Sequence, residues 1–264
     1  MTTANYLRLR QICLVAADRA RAEADISAVL GSEVVYRDPN VGKYGLENAL
    51  FPVGQKLIEV VVPTRDGTAA GRFLERFGTR GGYMVIMDCS DVKRRRAHVE
   101  ALGIPIVNTL DYDGFYAIQM HPRVGRAAIL EFNNTRGGDT PQGPYHPAGP
   151  GWPEAARLPA KGQLLAVEVE SPNPADLAAH WSGIIELPMS GGDQPSIKFD
   201  DSEIRFLRCP EGSMERLIGL EIAVPDPEAT TQKARARGLV ASDGAIWLYG
   251  VKIGLRTLRV ASGS

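Results

Sequence analysis

The stretch RAAILEFNN, residues 126 to 134, sets one carboxylate, Glu131, in an apolar run that reads as a β-strand. Strand alternation puts Ile129, Glu131 and Asn133 on one face and Leu130 and Phe132 on the other. A carboxylate among apolar neighbours is costly unless it faces a polar pocket or meets a partner. Glu131 is therefore a candidate general base whose pKa burial would raise, the alternative being a structural ion pair. Just upstream, QMHPRVG places His121 at the end of a strand that turns into the Glu131 strand. A hairpin would bring His121 near the same sheet, and the bland reading is a solvent-facing turn residue. Tyr44, Tyr83 and Tyr116 are candidate pocket hydroxyls, each equally readable as a half-buried strand aromatic. The other three histidines carry less. His98 lies in a charged helical pattern, His180 sits beside Trp181, and His146 matters only if its Gly/Pro-rich surroundings fold over a pocket. There is no Ser-His-Asp order, phosphate-binding loop or dinucleotide fingerprint.

Composition narrows the classes. A formal net charge of -1 over 264 residues lacks the phosphate-neutralising excess of a nucleic-acid binder. The one dense basic run, Lys93 to Arg96, reads as a solvated helix face. No run of about 18 apolar residues offers a membrane span, and the N-terminus has no targeting pattern, so a cytoplasmic location is expected. Cys13, Cys89 and Cys209 are widely spaced and odd in number, which suggests neither disulfides nor a thiolate zinc site.

The elements that would position these residues recur. QICLVAAD (11 to 18) is an apolar strand ending in Asp, followed by a helix closing on Gly31 and three short strand-like pieces, EVVYRDP, YGLENALFPVG and KLIEVVVPT. The order restarts at YMVIMDCSD (83 to 91), at LLAVEVES (164 to 171) and at GLEIAVPD (219 to 226). One such unit cannot close a core, so the units must pair. Residues 138–160 are dense in Gly and Pro and read as a linker between a unit of residues 1–137 and one of 161–264. The first unit should then be separable by proteolysis near Gly138 to Gly151. The plain reading of its YHPAGPGW core is a stiff, extended connector that Tyr145 and Trp152 pin to a domain surface, and the sharper reading is a flap over a pocket.

Tandem βαβββ units of this kind resemble the vicinal oxygen chelate superfamily, the glyoxalase, bleomycin-resistance and dioxygenase-like proteins. Within it, KLIEVVVPTRDGTAAGRFLERFGTRGG and QMHPRVGRAAILEF look most like methylmalonyl-CoA epimerase. The resemblance implies an α+β fold of four βαβββ units, paired into two glyoxalase-like domains with cupped mixed sheets. It also implies a site in the N-terminal cup. In metal-dependent relatives a His opens the first strand of each unit and a Glu lies near the end of the last. Laid on that pattern, Gln11 and Met84 (beside Tyr83) replace the histidines, Glu131 keeps the carboxylate, and Glu59 holds the matching place in the first unit. No resident cofactor is expected; if a divalent cation such as magnesium or manganese were held, its ligands would be Gln11, Glu59 and Glu131. The C-terminal pair offers Leu164 and Gly219 at the ligand places and no carboxylate in its last strand, which argues against an extradiol dioxygenase. Glu168, Glu170 and Glu221 alternate in its strands, which places some of them towards any cavity there.

The resulting expectation is a small-molecule enzyme acting by proton transfer, an isomerase, epimerase or lyase on an oxygenated metabolite. Glu131, Glu59 and His121 are its candidate catalytic groups, with Gln11, Tyr83, Met84 and Tyr116 at the ligand. The alternative is a binding protein of the bleomycin-resistance type that sequesters its ligand. The partner is a small molecule, neither nucleic acid nor membrane, and a homodimer is compatible with the sequence. A carboxylate pair lining the cup without compensating Arg or Lys would favour the base; aromatics alone would favour sequestration.

Overall fold

In the computed structural model the described residues are 5–78 and 81–258. The first half runs β1 (Leu7–Val15), α1 (Arg19–Leu30), β2 (Leu46–Val53), β3 (Lys56–Pro63), α2 (Ala69–Phe77), β4 (Met84–Cys89), α3 (Val92–Ala101), β5 (Ile106–Tyr112), β6 (Phe115–Met120), the one-turn α4 (Pro122–Gly125) and β7 (Ile129–Thr135). After the short α5 (Trp152–Ala155), the second half runs β8 (Gln163–Ser171), α6 (Pro174–Ile185), β9 (Ser196–Lys198), β10 (Glu203–Arg208), β11 (Arg216–Val224), α7 (Pro227–Ala236), β12 (Ile246–Leu248) and β13 (Val251–Thr257).

The acidic or amide residue after each first strand has a local purpose. Asp18, Asp91, Asn173 and Asp226 are helix N-caps whose side-chain oxygens accept from the backbone N–H of Arg21, Arg94, Asp176 and Ala229. Each satisfies one of the orphan donors of a first helical turn. Gly31, at φ 64°, closes α1 in the left-handed conformation that favours glycine.

The strands form two mixed sheets. One has the order β2-β3-β1-β4-β7-β6-β5 and the other β12-β13-β11-β8-β10-β9. Each is a pair of units joined through their first strands, β1 against β4 and β8 against β11, both antiparallel. Only the second unit keeps three extended strands after its helix. In the other three, the first of these is reduced to a single bridge, Tyr36 to Leu50, Met189 to Ile197 and Val240 to Ile246. The expected strand EVVYRDP stops where Asp38 caps a turn of 3-10 helix at Pro39, since proline has no N–H for a ladder.

One continuous apolar core runs through both halves. Helix α1 packs against α7, and buried Asp25 of α1 accepts from Arg237 Nε at 2.5 Å and from the Tyr249 hydroxyl at 2.7 Å. The basic run is not simply a solvated face: Arg94 pairs with Glu186 through two contacts of 2.7 Å, and Arg95 donates to the Ile185 carbonyl at 2.6 Å. His98 and His180 also bridge the halves, each 2.7 Å from a backbone carbonyl, of Gly183 and Val124. All three cysteines are buried and free. Among the described residues no helix is long and apolar enough to cross a membrane.

The segment 138–160 is not an open connector. It lies across the N-terminal sheet with Tyr145, Ala148 and Trp152 fully buried against Leu50 and Leu57. Arg10 of β1 ties it down, donating to the Pro141 carbonyl at 2.8 Å beneath the rings of Tyr145 and Trp152. Its apolar side chains and carbonyls are used in packing, so slow rather than ready proteolysis between Gly138 and Gly151 is expected.

Candidate functional site

The site begins with two strand registers. On β1 and β3, Gln11 pairs with Leu57 and Glu59 lies two residues on; on β4 and β7, Met84 pairs with Ile129 and Glu131 lies two residues on. Glu59 and Glu131 thus hold equivalent places in the two units, both on the concave face because strand side chains alternate. The register slips between Leu9 and Gln11 where β1 meets β4. This bulge lets neighbouring Arg10 and Gln11 both address the concave side, one under the strap and the other at the site.

Both carboxylates are buried, Glu59 at 8 % and Glu131 at 4 % exposure, and their partners are amides. Glu59 accepts from Asn48 Nδ2 at 2.7 Å and from Gln11 Nε2 at 2.8 Å. Glu131 accepts from Gln119 Nε2 at 2.8 Å and from Asn133 Nδ2 at 2.9 Å. Tyr145 of the strap links the two sets, accepting from Asn133 Nδ2 at 3.1 Å and donating to Gln11 Oε1 at 3.4 Å. Neither carboxylate forms an ion pair among the described residues.

Burial without a counter-charge governs their ionisation. Desolvation pushes Glu131 up from 4.5 to about 7, against the opposing pull of its Gln119 and Asn133 hydrogen bonds, with the Glu59 charge adding to the rise. Glu59 is raised for the same leading reason, partly offset by Asn48, Cys13 and Gln11. Burial also pushes the Tyr83 hydroxyl and the Cys13 thiol up, keeping both protonated.

These groups line a cavity of about 400 Å³. Gln11, Asn48, Glu59, Gln119 and Glu131 form its polar floor, and Val61, Tyr83, Met84, Ile86 and Ile129 an apolar wall. Lys43, Tyr44, Arg65, Tyr112 and His146 stand at its mouth. His146 comes from the strap and stacks on Phe115 with centroids 4.7 Å apart, so the strap closes one side of the cavity.

Two expected members are elsewhere. His121 is the N-cap of α4, its Nδ1 accepting from the Arg123 N–H at 3.1 Å, and it does not line the cavity. A short helical turn between β6 and β7, in place of a tight hairpin, carries it away. Tyr116 lies on the opposite face of β6 from Gln119, where its hydroxyl accepts from Arg96 at 3.0 Å. Asn48 and Gln119 are not among the candidates read from the sequence, and Tyr145 is read there only as a pin of the linker. Asn48 in LENALF and Gln119 in FYAIQM carry the same signal as Glu131, a polar residue at an inward position of an apolar strand.

The C-terminal sheet offers no equivalent. Glu221 is held by Arg205 at 3.0 Å and Arg256 at 3.2 Å, Glu168 lies 3.8 Å from Arg205, and Glu170 is bound by Arg216. Arginines neutralise the carboxylates that alternation places there.

A divalent cation, which the resemblance implies only for metal-dependent relatives, does not fit the donors present. All four carboxylate oxygens of Glu59 and Glu131 carry an amide N–H, Gln11 turns its NH2 rather than its oxygen towards Glu59, and Met84 contributes a thioether. Hard cations need several free oxygen donors, and first-row ions favour imidazole. Among the described residues no group of three or more His, Cys, Asp or Glu gathers.

No family model and no curated protein sequence matches the chain. Solved structures do. A hypothetical protein from Staphylococcus aureus superposes over 96 % of this chain and 99 % of its own, with a TM-score of 0.65 at 12 % identity. A triple mutant of 4-hydroxymandelate synthase from Streptomyces coelicolor covers 90 % of this chain and 76 % of its own, with a TM-score of 0.62 at 13 % identity. A methylmalonyl-CoA epimerase from the same organism, complexed with 2-nitronate-propionyl-CoA, matches 50 % of this chain and 99 % of its own, with a TM-score of 0.45 at 18 % identity. The chain therefore has the paired, glyoxalase-like architecture of the vicinal oxygen chelate fold.

Proposed function

We propose that the protein is an enzyme that moves a proton on a small oxygenated metabolite, an isomerase, epimerase or lyase, with Glu131 as the base. The observation that carries this reading is the pair Glu59 and Glu131, buried in one cavity, held by amides and without an Arg or Lys ion-pair partner among the described residues. A carboxyl group with a pKa near 7 is balanced between accepting and releasing a proton at neutral pH, which suits general base catalysis. Glu131 takes the proton from a carbon next to a carbonyl, and the developing oxyanion accepts a hydrogen bond from the Tyr83 hydroxyl, which burial keeps protonated. Glu59, displaced towards its acid form, supplies a proton to the carbon from the other side of the cup. No step is routed through a metal, because the donor set does not fit one.

The second reading, sequestration without turnover, is favoured by one feature: every oxygen of the two carboxylates already has a donor, as in a site built to hold a shape. Exchange into D2O separates the two. Incubated with a panel of ketones, 2-oxo acids and thioesters, the protein is expected to replace the proton beside the carbonyl of at least one member. Glu131→Gln should slow that replacement by about 100-fold or more while the circular dichroism spectrum is unchanged. Exchange in no member, or exchange indifferent to Glu131→Gln, contradicts the enzyme reading.

A further inference from the structure

Two cationic side chains at the mouth of the cavity, Lys43 and Arg65, are left without an acidic partner. Lys43 donates to the Tyr112 hydroxyl and lies over the rings of Tyr44 and Tyr112, at 4.9 and 4.8 Å from their centroids. Arg65 forms no ion pair or hydrogen bond among the described residues. Its place is nonetheless set by the backbone. Gly45, at φ 69°, leaves the space that the Arg65 chain occupies, since a Cβ there would lie 2.4 Å from Arg65 Nε. The Thr64 N–H also donates to the Gly45 carbonyl at 2.8 Å, tying the two segments together. Arg65 thus runs beside the residue pair that follows Lys43 in sequence, and both line one rim.

Nearby charges are used differently. Arg37 is paired with Glu23 at 2.6 Å and Arg19 with Glu47 at 2.7 Å. The rim carboxylate, Asp38, spends its Oδ1 on the backbone and side chain of Asn40, at 2.9 and 2.8 Å. The mouth therefore carries two cations against the one rim carboxylate, a net positive edge above an apolar wall, and the proton-moving carboxylates lie below.

We propose that the ligand of this cup carries an anionic group, a carboxylate or phosphate, that seats between Lys43 and Arg65 while its carbonyl end reaches the floor. This inference rests on the cavity being the site of the proposed chemistry, and it adds the ligand's charge and direction of entry. A carboxylate or phosphate meeting these two cations forms charge-assisted hydrogen bonds, roughly twice as strong as neutral ones.

The test uses three probes near pH 7: 3-benzoylpropionate, its uncharged methyl ester and phenyl phosphate, titrated by calorimetry and followed by NMR at the side-chain amides of Asn48 and Gln119. The acid is expected to bind the wild-type protein about tenfold more tightly than the ester. In the Lys43→Gln/Arg65→Gln variant that preference should vanish while ester binding stays the same. Tighter binding of phenyl phosphate than of the acid identifies phosphate as the favoured group, and the reverse identifies carboxylate; either supports the rim. Equal binding of acid and ester, or an acid preference that survives in the double variant, overturns the inference. If the ester alone still exchanges protons in a manner dependent on Glu131, the proposed chemistry stands without it. Binding of none of the three overturns this inference and the reading of the cup together.

Discussion

Glu131→Gln is expected to gain on the wild-type protein in stability as pH rises, by up to about 3 kcal/mol between pH 4 and pH 8. The folded protein holds Glu131 at about 7, against an ordinary value of 4.5. Below 4.5 the group is neutral in folded and unfolded chains alike. Above it the unfolded chain releases the proton first, so the folded state loses its relative advantage until pH passes 7. Glutamine does not titrate and escapes that loss. Asp88, raised by burial to about 6, adds a loss of the same sign in both proteins, so the informative quantity is the difference between the two urea-unfolding curves at each pH. A pH-independent difference would show that Glu131 titrates ordinarily.

Trp152→Ala should cost about 3 to 5 kcal/mol, the range for truncating a large buried aromatic. Trp152 is fully buried among Leu50, Leu57 and Tyr145, donates its indole N–H to the Pro141 carbonyl at 3.2 Å, and lies against the Arg10 guanidinium. Removing it would loosen the strap that carries Tyr145 and His146 to the cavity, and would leave Arg10 buried with one face uncovered. Urea unfolding measures the cost, and limited proteolysis between residues 138 and 151 should be fast in the variant and slow in the wild-type protein. A cost below about 1 kcal/mol would mean the strap is a loose covering whose packing contributes little.

The fold was legible because it is written in repeated local signals: an apolar strand, an Asp or Asn that caps, and a helix that in three of the four units runs out at a glycine, Gly31, Gly103 and Gly238. The inward direction of Glu131 followed from the same alternation that buries Leu130 and Phe132 in the core. The amide partners were harder to see. Asn48 and Gln119 come from strands whose side chains matter only once the sheet order brings β2 and β6 next to β3 and β7. Tyr145 was legible only as a possible pin, because glycine and proline dominate its segment while four residues, Tyr145, Ala148, Trp152 and Pro141, anchor it through long-range contacts. His121 misled for a related reason. Proximity in sequence to the Glu131 strand implied proximity in space, but a single helical turn rotated it out of the cup and used its ring as a cap.

The central claim is that Glu131 is poised to exchange a proton at neutral pH. Carbon-13 NMR of side-chain carboxyl groups, with the Glu131 resonance assigned by its loss in Glu131→Gln, tests this without any ligand. The account predicts that this resonance titrates with a midpoint of about 7. A midpoint at the ordinary glutamate value of about 4.3 would contradict it.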